Sequence, residues 1–169
     1  MKEKIKLRAI EETDSNFFFE LTQDEEYKKH YLERLTPKNF NEAKNQVKKH
    51  IRERENNFAY YFIIEKGKTP IGILDVYKIM QKDKRGSIGY GIKKEYWGKG
   101  YAKEACKLGL KFIKTKLKLH SVEGTTEPDN LASCKVLEKN GFKRIGVIKD
   151  YYFDKGKFVD RVLYWKIIG

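Results

Sequence analysis

Seven residues near the middle of the chain, Tyr96-Trp97-Gly98-Lys99-Gly100-Tyr101-Ala102, constrain its fold more than any other stretch. They separate a strand-like run, 87–92, from a helix-like run, 102–118. Two glycines at a strand-to-helix turn accept backbone conformations closed to other residues and leave no Cβ over the amides. A helix opening directly behind them aims its unbonded N–H groups and its positive dipole end at the same point. Such a point is an anion cradle, and a pyrophosphate suits it. Lys99 and Lys103 oppose the dipole of that first turn, a conflict that a bound anion removes.

The length of 169 residues fits one domain spanning 1–169. Apolar residues make up 40% and aromatics 14%, enough for a packed core and too much for a disordered chain. No apolar run reaches the roughly 20 residues of a membrane span. Met1-Lys2-Glu3-Lys4 is charged and has no signal-peptide core, so a cytoplasmic protein with no membrane partner is expected. Cys106 and Cys134 lack metal or redox spacing, and so do His30, His50 and His120; no metal is expected. The net charge of +13 favours anionic partners, whether a phosphorylated cofactor, RNA or an acidic protein, and equally fits a surface rich in Lys and Glu.

Periodicity orders the elements. Ile5 to Ile10 alternates as a strand. Thr13 or Asp14 can cap a helix through Thr22, and a short helical piece runs from Glu25 to Leu32. Thr36-Pro37 reads as an N-cap and first helical position for a helix to Glu55. Runs 58–65, 70–80 and 86–92 form an antiparallel meander. After the glycine turn, Tyr101, Ala105, Leu108 and Phe112 make one apolar helical stripe, with lysines opposite. Ser121 to Thr126 is a strand entered from that helix, hence parallel to the earlier one. A helix, Leu131 to Lys139, stops at Asn140-Gly141, and strands 143–152 and 158–168 close the chain. The class is α/β, a mixed sheet with helices on both faces.

The glycine turn meets neither nucleotide motif. Lys103 stands where a dinucleotide fingerprint needs glycine, and Lys93 where a P-loop needs it. A second element lies on the later helix, where Asn130, Ser133 and Leu137 share one face. Together the two resemble the GNAT family of N-acetyltransferases. Its R/Q-x-x-G-x-G/A pattern is met at Gly100 and Ala102, with Trp97 in the Arg/Gln position. Its N-x-x-A/S-x-x-x-Y-E-K-x-G-F pattern is met at Asn130, Ser133, Glu138, Lys139, Gly141 and Phe142, with Leu137 in the tyrosine position. With Leu7-Arg8, the chain is similar to the subgroup that acetylates ribosomal-protein N-termini.

The resemblance implies about seven mostly antiparallel strands with a central splayed parallel pair. It implies acetyl-CoA as cosubstrate and transfer of its acetyl group to an amine. The acceptor it suggests is a ribosomal or other protein N-terminus; alternatives are a polyamine, an aminoglycoside, or a non-catalytic CoA- or RNA-binding role. Cofactor binding falls to Gly91, Ile92, Trp97, Gly98, Lys99, Gly100, Tyr101, Ala102, Lys103, Asn130 and Ser133. Ser133 is the expected aid to the thiolate leaving group, in place of the missing tyrosine. Glu123 or Glu127 can activate the amine through water, and Asp75 and the aromatic cluster Tyr151-Tyr152-Phe153 are candidates for the acceptor pocket. A homodimer through the C-terminal strands is a further implication.

Overall fold

The computed structural model describes residues 4–169, so the N-terminal Met1-Lys2-Glu3 lies outside the described residues. Seven strands form one sheet in the order β1-β2-β3-β4-β5-β7-β6. They are β1 (Ile5–Ala9), β2 (Tyr60–Lys66), β3 (Thr69–Met80), β4 (Arg85–Ile92), β5 (Ser121–Thr126), β6 (Lys143–Asp154) and β7 (Lys157–Ile167). Only β4 and β5 run parallel, and they pair over just three positions, Arg85–Ser87 against Ser121–Glu123. Beyond Ser87 the two strands part, which is the expected splay.

Helices α1 (Ser15–Gln23), α2 (Glu25–His30) and α3 (Phe40–Glu55) precede β2. Helices α4 (Tyr101–Phe112) and α5 (Leu131–Lys139) flank β5 in sequence. Alternation along the strands serves two cores. Ile63 and Ile73 pack with Phe17, Leu21 and Val47 of α1 and α3. Leu74, Val76 and Ile88 pack with Ala105, Cys106 and Leu110 of α4.

Several caps and boundaries differ from the periodicity. Helix α3 starts at Phe40, because the Asn39 side chain accepts the Glu42 N–H (2.9 Å) and forms the cap. Pro37 is instead part of the preceding loop, where its carbonyl accepts from Gln23 Nε2 (2.7 Å). Helix α2 ends at His30, since Tyr31 adopts an extended backbone. Asp14 does not cap α1 with its side chain; its carboxylate accepts from Arg8 and from the Glu11 N–H.

Arg8 is the hub of the N-terminal half. Its guanidinium grips Asp14 through two nitrogens (2.7 and 2.9 Å) and Glu65 through Nε (2.8 Å). Burial pushes the Glu65 carboxyl up, but hydrogen bonds from Arg8 and Lys6 outweigh it and hold the group below its ordinary value. A depressed acid stabilises the fold above its unfolded pKa, and that contribution is lost as pH falls through the folded value. Arg8→Met should therefore leave Asp14 without its cation and Glu65 with Lys6 alone, and cost about 2–4 kcal/mol. Denaturant titration at neutral and acid pH checks this: the deficit should be largest at neutral pH and shrink as Glu65 protonates.

Candidate active site

The parting of β4 and β5 opens the sheet, and two cavities meet there. The first, about 400 Å³, runs over the start of α4 and along α5. Gly98 and Gly100 adopt φ of 70° and 75°, a region that favours glycine. The Trp97 indole N–H donates to the Ile92 carbonyl (2.7 Å) and ties the turn to the end of β4. The first α4 hydrogen bond runs from Glu104 N–H to the Gly100 carbonyl (3.2 Å), so the amides of Ala102 and Lys103 precede any intrahelical acceptor. Both residues line the cavity, and their amides and the helix dipole suit an anion.

At the junction, the Asn130 side chain caps α5 by accepting the Ser133 N–H (3.1 Å). Ser133 Oγ lies 3.2 Å from the Tyr90 hydroxyl, which reaches over from β4 and also donates to the Ser133 carbonyl (3.2 Å). Burial pushes the Tyr90 phenol well above its ordinary value, so it stays neutral and able to donate. Leu137 is fully buried, and a Cβ on Gly124 would lie 2.8 Å from its Cδ2. The tyrosine position of α5 is thus a core site here, and the phenol at this junction comes from the opposite strand.

The second cavity, about 530 Å³, lies on the other side of that junction. Asp75 of β3 lines it, facing Gly89 in the β3–β4 register. A Cβ on Gly89 would lie 2.8 Å from Asp75 Oδ1, so the glycine makes the space the carboxylate occupies. Gly91, two residues on, leaves room for the Tyr27 ring, which a Cβ would overlap. Burial pushes the Asp75 carboxyl up to about 7, opposed only by its own backbone N–H; no cation compensates it. Tyr27, Tyr31, Tyr61 and Tyr77 also line this cavity, and burial together with the Asp75 charge raises all four phenols. His50 stacks on Tyr61 at 3.6 Å, and burial lowers its pKa, which keeps the ring neutral near pH 7.

The model of the acetyltransferase (GNAT) domain family matches residues 4–143. The chain belongs to the GNAT acetyltransferase family. It is 28% identical over 163 residues to the N-acetyltransferase p20 of Bacillus licheniformis, covering 94% of this chain and 89% of p20. Its fold is similar to that of RimL, a ribosomal L7/L12 α-N-protein acetyltransferase solved with coenzyme A. That match has a TM-score of 0.90 and 20% identity and covers 97% of this chain and 94% of RimL. The spermidine N-acetyltransferase of Vibrio cholerae, solved with CoA and spermine, matches with a TM-score of 0.86 and 24% identity, covering 96% and 95%. At these identities the structures bear on the fold.

Within this GNAT domain, most of the cofactor candidates gather at the first cavity. Gly91 and Ile92 line it from β4, Trp97, Gly98 and Gly100 from the turn, and Tyr101, Ala102 and Lys103 from α4. Asn130 and Ser133 line both cavities. Lys99 does not line it: its ammonium folds back onto the Glu95 carbonyl (2.7 Å). Glu123 accepts from Ser87 Oγ (2.7 Å) and lines neither cavity. Glu127 lines the second one, bonded to His30 (2.5 Å).

Tyr90, Tyr27 and Tyr31 escaped the sequence reading. A signal for Tyr90 was present, a phenol between two strand glycines just before the turn. Tyr27 in α2 and Tyr31 just beyond it carried none, because a six-residue helix and its extended C-cap present no face whose neighbour can be read from spacing.

The raised Asp75 has a thermodynamic signature. An acid whose folded pKa exceeds its unfolded value destabilises the fold progressively as pH rises between the two. Asp75→Asn should leave stability near pH 4 almost unchanged and raise the melting temperature at about pH 8, where the wild type holds a buried charge. Scanning calorimetry at both pH values checks the sign.

Proposed function

We propose that the protein moves the acetyl group of acetyl-CoA to a primary amine, first among them the α-amine of a peptide or ribosomal-protein N-terminus. The observation that carries this reading is the meeting of an anion cradle with a carboxylate-bearing cavity at Ser133 and Tyr90. The turn glycines and the α4 amides suit the pyrophosphate of CoA. Lys103, Lys135 and Lys139 line the same cavity and suit its remaining phosphate.

Only a neutral amine attacks a thioester. Asp75, at about 7, lies within one unit of an α-amine at about 7.7–8.0, so proton transfer between them costs roughly 1 kcal/mol. A lysine or polyamine amine near 10.4 would cost about 4–5 kcal/mol by the same measure. In this reading Asp75 holds the ammonium and takes its proton. Glu123, engaged by Ser87, then supports the strand pair, while a water on Glu127 remains an alternative route. The amine nitrogen bonds to the thioester carbonyl carbon, backbone amides of the splayed β4 end stabilise the oxyanion, and the C–S bond breaks. Ser133 Oγ gives its proton to the departing thiolate and regains one from solvent water by way of the Tyr90 hydroxyl, which gives one proton and takes one.

A spermidine-type amine is the second reading, favoured by the tyrosine walls around Asp75. A cytoplasmic homodimer fits either one. Ile145 and Phe153 of edge strand β6, with Phe158 of β7, expose an apolar face that a second copy can cover.

Calorimetry with acetyl-CoA, followed by turnover against peptide N-termini and spermidine, tests the reading; binding without turnover of any amine would leave a CoA-binding module. Gly100→Glu, which puts a charged side chain at the left-handed N-cap, should abolish acetyl-CoA binding. Ser133→Ala should lower kcat about tenfold or more while acetyl-CoA affinity stays near wild type; undiminished turnover would hand the leaving-group role to water.

A further inference from the structure

The second cavity is not uniformly suited to a cation. Asp75 provides one negative site, walled by tyrosines. At another part of the same cavity three cations gather around the β6 pair Tyr151 and Tyr152, whose rings lie 4.5 Å apart. The Arg34 guanidinium lies over the Tyr152 ring at 4.7 Å, and the Arg161 guanidinium at 5.2 Å. Lys78 Nζ lies 3.4 Å from the Tyr151 hydroxyl. These residues come from four places in the chain: the α2–α3 connection, β3, β6 and β7.

Their existing partners are weak. Arg161 is buried, 5% exposed, yet among the described residues its guanidinium has one hydrogen bond, to the Asp160 carbonyl, and a long ion pair of 3.7 Å with Glu127. Glu127 is itself shared with His30. Lys78 stands 3.8 Å from Glu123, which already accepts from Ser87. Arg34 forms no ion pair among the described residues; its partner is the Tyr152 face. A buried guanidinium with donors left over, beside a second guanidinium on one ring, is suited to a carboxylate or phosphate. Concentrating like charges at one place is unfavourable by itself, and a bound anion reverses the sign.

Resting on the acetyl-transfer reading above, we infer that the acceptor is an amine carrying its own anionic group, with the amine at Asp75 and the anion at Arg34, Arg161 and Lys78. A polycation fails this match, since its distal ammonium would meet the cationic cluster. An N-terminus followed by aspartate or glutamate satisfies it, and so does a small phosphorylated amine; a panel containing both separates the two sources.

The experiment uses the full chain, saturating acetyl-CoA and a panel of acceptors. Three peptides share one sequence and differ only in having Asp, Ala or Lys after the N-terminal residue; spermidine and O-phosphoethanolamine complete the set. The Asp peptide or the phosphorylated amine should exceed the Ala peptide at least about tenfold in kcat/KM, with the Lys peptide and spermidine below both. Added salt should compress that ranking. Arg34→Gln, a change at an exposed side chain, should cut the acidic-to-neutral ratio at least fivefold, with calorimetric acetyl-CoA affinity as the check on folding. Turnover of both the Asp peptide and O-phosphoethanolamine no better than that of the Ala peptide, a preference for spermidine, or an Arg34→Gln ratio equal to wild type would overturn the inference while leaving acetyl transfer standing. Acetyl-CoA binding with no acceptor turned over would overturn both.

Discussion

The early parting of β4 from β5 is the constraint from which the rest of the structure follows. Two parallel strands that pair over three positions and then diverge leave backbone groups that neither strand can satisfy. Each of those strands runs on into a helix, β4 into α4 and β5 into α5, so both helix N-termini come to the same opening. The glycine turn with the α4 N-terminus, the Tyr90–Ser133 hydroxyl pair and the cavity around Asp75 share one point because the sheet is open there. A fully paired β4–β5 ladder would leave the glycine turn as an ordinary connection.

Two carboxylate environments in one molecule show how burial is handled differently for structure and for chemistry. Asp14 and Glu65 are buried, and Arg8 grips both. Asp75 is enclosed among tyrosines, and no cation among the described residues compensates it. A carboxylate left uncompensated costs stability, and a cost retained at a cavity wall points to use of the group there. The cations of the same cavity make the complementary case: they stand apart from Asp75, around Tyr151 and Tyr152, rather than neutralising it.

Close approach between elements depends on absent side chains. Gly89 gives Asp75 its space, Gly91 admits Tyr27, and Gly124 admits Leu137. In each case the glycine sits on one strand and the side chain it accommodates belongs to another element. These glycines are conspicuous in the sequence, but what fills the vacated volume depends on strand register and helix placement. That is why Asp75 could be named as a pocket candidate, whereas its isolation from every cation could not be foreseen.

Local pattern determined much of this protein. The alternation of β1 to β4, the apolar stripe of α4 and the Gly98–Gly100 turn are short-range features, set by side-chain period and permitted φ, and they appear in the structure where the sequence puts them. The Asn130–Ser133 cap is equally local, since both residues lie within one helical turn. Local pattern failed where a side chain had a distant rival partner. Asp14 left its capping role for Arg8, and Thr36-Pro37 lost the start of α3 to Asn39. Tyr90 meets Ser133 across 43 positions of sequence, and Arg34 meets Tyr152 across a still longer span. The sequence by itself determined the elements, their order and the glycine turn, because spacing and backbone preference act within a few residues. Only the tertiary structure decided which carboxylate went without a cation, which phenol reached the serine and where Arg34 and Arg161 gathered, because burial and charge pairing depend on neighbours from other parts of the chain.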